Sequence, residues 1–337
     1  MRIARWQFFL GLVLGLFSCV PNEPFYLLKQ GKKQIEINLK KRKIDYLLNN
    51  QTISEEKKQK FKTLKNLLDF AQRELKLNTK DQFEYYYEVS GKAISFMVVA
   101  SEKLQLRPKK YWFPFVGTVY YIGFFDLNDA KAYAEYLKNQ NWDVRISGIS
   151  AYSSLGWFKD PIFTYHLEYS EVELARLVFH ELTHNTYWNQ NDSQFNETLA
   201  DFVEREGTSL YLIKTQQNEK LKEFHQQLQF EAEHQKLFYD YKIKLQNLYD
   251  DQTLTTEQKL TKKQEVLNHI KHDLVSLYKK FKKDNLIENL QKRNFNNADF
   301  VLLQIYSHKE KEEKIKKIYQ DCDKNWECFW KKIKENH

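Results

Sequence analysis

His180 and His184 stand four residues apart in Leu177-Val178-Phe179-His180-Glu181-Leu182-Thr183-His184, a segment that reads as helix. At that spacing both imidazoles project from one face, about one turn apart. Two neutral ring nitrogens so placed can share one Zn²⁺ at roughly 2.0–2.1 Å. Glu181 lies between them, placed to take a proton from an attacking water. A catalytic zinc commonly has three protein ligands, with the fourth position left to water. Glu197, thirteen residues after His184, supplies the third. Its segment Phe195-Asn196-Glu197-Thr198-Leu199-Ala200-Asp201 repeats the helical logic, with Glu197 and Asp201 again at i and i+4. Asp201 can then accept the free ring N–H of a ligand histidine, His180 by position, fixing its tautomer and raising its basicity. His-Glu-x-x-His alone recurs by chance on amphipathic helices that bind nothing. The acidic second helix makes a zinc hydrolase, with one metal per chain, the better reading.

Helices that carry such a site must be docked on a core. Leu177, Val178 and Leu182 supply an apolar side to the first, and Thr183 is small enough to leave room near a metal. The polar connection from Asn185 to Gln194 suits a turn that returns the second helix antiparallel. Upstream the periodicity changes. Tyr111 to Phe125 is aromatic and β-branched, Asn128 to Lys138 reads as helix, and Trp142 to Tyr152 reads as a strand. These elements predict a small sheet packed over the metal-binding helix, with the last strand along the cleft, where its edge can pair with an extended substrate.

Residues 26–77 are charged and helix-forming, which predicts a scaffold helix pair. From Lys214 to His337 the chain reads as helix throughout. Leu267, Ile270, Leu274, Leu277 and Phe281 step by three and four, and Thr255 with Gln258 forms a capping box after a turn at Asp250 to Thr256. The expectation is an antiparallel hairpin with largely solvated faces, either a support lobe or a coiled-coil-like arm that recruits a partner. Helices near Trp326, Phe329 and Trp330 should return to the catalytic part. The fold class is therefore α+β: a scaffold at 19–82, a catalytic core at 83–213 and a helical lobe at 214–337.

The stretch from Ile44 to Leu212 resembles a bacterial family of predicted aminopeptidases, which are glutamate-liganded zincins. The matching strings are Trp112-Phe113-Pro114-Phe115-Val116-Gly117, Ala151-Tyr152-Ser153-Ser154-Leu155-Gly156-Trp157-Phe158-Lys159-Asp160-Pro161 and Leu174 to Leu182. Phe195-Asn196-Glu197 and Val203-Glu204-Arg205-Glu206-Gly207 continue the match, and Asn296-Asn297-Ala298 carries it on weakly. The resemblance implies a zincin core, one zinc and a peptide substrate trimmed from its N-terminus. No Gly-x-Met-Glu-Asn segment, the amine anchor of the best-known zinc aminopeptidases of this clan, is present. A zinc endopeptidase therefore stands as an alternative, as does a binding lipoprotein with a structural zinc. The resemblance also hints that Asn296 and Asn297 line the cleft, although capping and turn roles suit them equally.

Other candidates are weighed on chemistry. Tyr152, just before the loop whose Gly156 and Trp157 are substrate-binding candidates, could donate to the oxyanion of a tetrahedral intermediate or be a core tyrosine. Glu204, seven residues beyond Glu197, could meet a substrate α-amino group or form an ordinary ion pair. His166 and the histidines of the helical lobe have no ligand-like spacing and read as surface residues.

Arg2 and Arg5 precede an apolar stretch, Trp6 to Phe17, too short to span a membrane. It ends in Leu16-Phe17-Ser18-Cys19, which resembles the bacterial lipobox. Residues 1–18 would be a lipoprotein signal peptide, and lipid on Cys19 would hold the protein at a membrane of the cell envelope; an ordinary cleaved signal peptide and an uncleaved anchor are the competing readings. Outside the reducing cytoplasm Cys322 and Cys328 could pair or remain thiols. The formal net charge is +8, with no Arg-rich stripe or RNA-binding signature, so nucleic acid is not an expected partner.

Overall fold

Ser95–Ser101 is a strand with apolar residues on both faces, and such a strand needs cover on two sides. In the computed structural model it receives that cover. The structure describes residues 26–89, 91, 93–113, 117–149, 159, 161–190, 192–306 and 309–336. The described helices are α1 (Tyr26–Lys40), α2 (Ile44–Leu48), α3 (Glu55–Arg73), α4 (Leu127–Asn139), α5 (Glu171–Thr186), α6 (Ser193–Lys214), α7 (Asn218–Asp250), α8 (Thr256–Lys280), α9 (Asp284–Lys292), α10 (Asn297–Tyr306), α11 (Lys309–Gln320) and α12 (Trp326–Asn336). The strands are β1 (Arg42–Lys43), β2 (Tyr85–Tyr87), β3 (Ser95–Ser101), β4 (Tyr111–Phe113), β5 (Gly117–Val119), β6 (Ile122–Phe124), β7 (Asp143–Ile149) and β8 (Ile162–Phe163). The fold is α+β, mainly helical with small sheets.

Two compact units divide the chain, and each is drawn from three separated stretches. The first takes residues up to 36, then 95–149 and 228–303. Its sheet has the order β6-β3-β7, antiparallel throughout, with Val98 opposite both Ile122 and Ile146. Val98 and Ala100 pack with Ile122, Phe124 and, from α4, Ala130, Tyr133, Ala134 and Leu137. Met97 and Val99 point the other way, into Phe238, Tyr241 and Leu245 of α7 and Leu267, Ile270 and Leu274 of α8. The α7–α8 hairpin is antiparallel: Tyr241 donates to Asp273 at 2.7 Å, and Lys280 pairs with Glu233 at 2.6 Å. The capping box of Thr255 and Gln258 starts α8 as expected.

This corrects the expectation of largely solvated hairpin faces. The hairpin is no free arm, because one of its faces is core. The sheet of β6, β3 and β7 has α4 and the hairpin as its described partners. The reason is the two-sided apolar pattern of β3, which calls for helices on both faces.

The second unit takes residues 37–94, 150–227 and 304–337. Its small sheet runs β1-β2-β8, with β2 antiparallel to β1 and parallel to β8. Phe70 of α3 meets Phe179 of α5 and Tyr211 of α6 at ring distances of 5.9 and 5.1 Å. Gly207 lets α6 approach closely, since a Cβ there would stand 2.7 Å from Leu75 Cδ1. Near the C-terminus, Tyr319 and Phe329 pack on Phe202, and the Trp330 indole N–H donates to the Leu75 carbonyl at 2.8 Å. A disulfide joins Cys322, in the turn after α11, to Cys328 in the first turn of α12.

Candidate metal centre

The pair α5–α6 builds the site. Ser170 caps α5: its hydroxyl accepts from the Glu173 N–H at 3.2 Å, and the Glu173 carboxylate accepts from the Ser170 N–H at 2.8 Å. Leu174, Ala175, Val178, Phe179 and Leu182 are buried, and Phe179 packs against Tyr211 of α6. Asp192 caps α6 by accepting from the Phe195 N–H at 2.9 Å. The Asn196 side chain, buried, exchanges two 2.8 Å bonds with the backbone of Asn189 and so fixes the turn between the helices.

Across this pair the predicted ligands meet. His180 Nε2 lies 3.6 Å from Glu197 Oε2, and His184 Nε2 lies 3.6 Å from Glu197 Oε1. All three donor atoms fall within 4.8 Å of one another. Tetrahedral ligands about 2.1 Å from a zinc are ~3.4 Å apart, so this donor set and spacing fit the ion. The other nitrogen of His180, Nδ1, faces Asp201 Oδ1 at 3.4 Å and Glu204 Oε2 at 3.3 Å. His184 Nδ1 is buried with no hydrogen-bond partner among the described residues, and the Trp188 ring stands edge-on to the same imidazole at 5.4 Å.

The two histidines are shifted in opposite directions. Burial alone would lower His180, but Asp201, Glu197 and Glu204 outweigh it and hold its pKa well above the usual value. Burial, helped by the positive charge of His180, pushes His184 down to about 4. Burial would raise Glu197 and Glu204 as well, yet their cationic neighbours keep both low. Glu181 is half-buried, and its charge acts on His180.

Several candidates land elsewhere. Glu204 is buried, and its Oε1 accepts from Arg176 Nε at 2.5 Å, so the ion-pair reading describes it and its oxygens are engaged inside the protein. Thr183 is fully buried on the core side and donates to the Phe179 carbonyl. Asn297 is fully buried rather than lining a cleft. Its amide donates to the carbonyls of Glu102 and Lys103 and accepts from the Tyr249 hydroxyl, which spends its bonding capacity on the β3 turn. Asn296 caps α10. His166 is buried rather than surface, with Phe163, Tyr165 and Tyr169 around it and its Nδ1 accepting from the Phe163 N–H. Cys19, Tyr152, Gly156 and Trp157 lie outside the described residues.

The sequence reading missed Arg176, Trp188 and the structural role of Asn196. Helical spacing offered a signal for the first, since Arg176 precedes His180 by one turn on α5. A family model described as "Putative aminopeptidase" matches residues 25–336, and the chain belongs to that family. No curated protein matches the chain, and no solved structure does.

Proposed function

We propose that this protein is a zinc-dependent peptide hydrolase that removes N-terminal residues, with a zincin-like site built by α5 and α6. The observation that carries the reading is the meeting of His180, His184 and Glu197 at ligand spacing. Family membership supports the peptide substrate. Zinc, when bound, supplies Lewis-acid polarisation of a carbonyl and lowers the pKa of a water toward about 7.

The chain's own residues do the rest. Glu181 takes a proton from the attacking water and returns it to the leaving amine. Burial keeps His184 neutral, the state in which an imidazole can ligate. Asp201 and Glu204 engage the far nitrogen of His180 and leave Nε2 turned toward Glu197. Tyr152 remains the proposed donor to the oxyanion. Among the described residues no helix is long and apolar enough to cross a membrane. The proposed attachment to the bacterial cell envelope is through lipid at Cys19. The Cys322–Cys328 disulfide suits an exported protein.

The test is zinc content together with cleavage of a mixed peptide library by wild type and Glu181→Gln. One zinc per chain in both, products from wild type only, and no cleavage of N-acetylated peptides are the expected results. Near wild-type turnover by Glu181→Gln would refute the general-base assignment. Cleavage of acetylated peptides would replace the aminopeptidase by an endopeptidase.

A further inference from the structure

His180 Nδ1 carries at most one hydrogen, so it can make one well-directed bond, yet two carboxylates stand at nearly equal distance from it. Their surroundings differ. The Glu204 side chain is 12% exposed and the Asp201 side chain 40%. Glu204 has a second, charged partner in Arg176 Nε at 2.5 Å, and Arg176 in turn lies over the Phe224 ring, 5.7 Å from its centre. Arg176 and His180 are one turn apart on α5, so a single stretch of helix presents both the proposed ligand and the group that clamps its carboxylate partner. A carboxylate fixed by a guanidinium and shielded from water keeps its direction, whereas an exposed one shares its oxygens with solvent.

We propose that Glu204, held by Arg176, is the carboxylate that positions His180 for the metal, and that Asp201 is subsidiary. This reverses the assignment that helical spacing suggested. Glu204 and Arg176 are positioning residues, acting through His180 without touching substrate. The inference rests on the zinc reading above.

The test uses the full chain, with zinc affinity measured by competition against a chromophoric chelator and folding followed by circular dichroism. Loss of an outer partner of a metal-bound histidine typically costs about 10–100-fold in metal affinity, and that is expected for Glu204→Gln and for Arg176→Ala. Arg176→Lys should recover part of the loss, and Asp201→Asn should cost less than about threefold, below that range. In the zinc-bound protein the His180 Nδ1–H proton resonance should move upfield in Glu204→Gln and stay in place in Asp201→Asn. A folded Glu204→Gln that binds zinc as tightly as wild type, or an Asp201→Asn that loses more than it does, would overturn the proposal. If Glu204→Gln does not fold, Arg176→Ala decides by the same criterion: a tenfold loss in a folded protein supports the clamp, and unchanged affinity overturns it. A wild-type chain that binds no zinc would refute the metal reading itself, a result distinct from any ranking among variants.

Discussion

Each unit buries charged groups, and they are used in different ways. In the unit of the β6-β3-β7 sheet, Lys263 pairs with Asp143, whose carboxylate also accepts the Asn297 N–H at 3.0 Å. Asp299, almost fully buried, receives Arg145 at 2.5 Å and Arg293 at 2.6 Å, together with the Asn296 N–H. These groups pair acid with base and pin loops to helices, although Arg293 Nε is itself buried with no hydrogen-bond partner among the described residues. In the unit of α5 and α6, three carboxylates instead crowd one histidine, while the neighbouring His184 keeps a buried nitrogen without a partner among the described residues. Buried polar groups left unbalanced cost stability, and proteins retain them where chemistry needs them. The contrast teaches that burial of charge alone does not mark a site; convergence of several carboxylates on one histidine does.

The comparison can be broken first at its functional side. His184→Ala should lose zinc altogether and turnover with it, while the circular dichroism of the metal-free protein stays that of wild type. Glu181→Gln should keep zinc and lower kcat by about 10²–10⁴-fold, the usual worth of a general base. On the other side, Lys263→Met leaves Asp143 buried and unpaired, and chemical denaturation should show a loss of about 3–5 kcal/mol with zinc stoichiometry unchanged. Lost zinc in that variant would mean that the two units do not keep separate roles. Gly207→Ala forces a methyl against Leu75 and should cost about 1–3 kcal/mol, read from the same denaturation curves.

The smallest effect concerns Glu171. Burial would raise its carboxyl, but Lys220, Tyr211 and Gln217 outweigh that and hold it below the usual value. A carboxyl lowered by folding contributes stability above its unfolded pKa, about 4.3, and that contribution is lost as the pH falls through the lower folded value. Glu171→Gln should therefore flatten the acid limb of the stability curve by less than about 1 kcal/mol, since the pair with Lys220 is partly solvated. An unchanged acid limb would remove this carboxyl from the account.

Much of the site was legible because its parts are local. His180, Glu181 and His184 fall on one helix, Glu197 and Asp201 on the next, and the boundaries of both follow from capping residues visible in sequence. The Arg176–Glu204 pair was not legible, since the two are brought together only when α5 docks on α6. The burial of His166 likewise depends on three aromatic neighbours rather than on any spacing of ligands. The hairpin was read correctly in its turn and cap, while its many charged residues hid how deeply Leu245, Ile270 and Leu274 are buried. The two-unit division escaped entirely: β2 pairs with β8 across the whole of 95–149, and nothing local in either short strand announces its partner.

That discontinuity governs the order in which a growing chain can finish its parts. By residue 227 a ribosome has made every proposed zinc ligand, but Phe202 still lacks Tyr319 and Phe329, which arrive only with α11 and α12. The unit around the ligands needs residues more than a hundred positions beyond Glu197, so its long-range contacts form only after those segments have been made. A chain cut at residue 303 would carry the whole His-Glu-x-x-His motif and lack the aromatic cover that α6 needs.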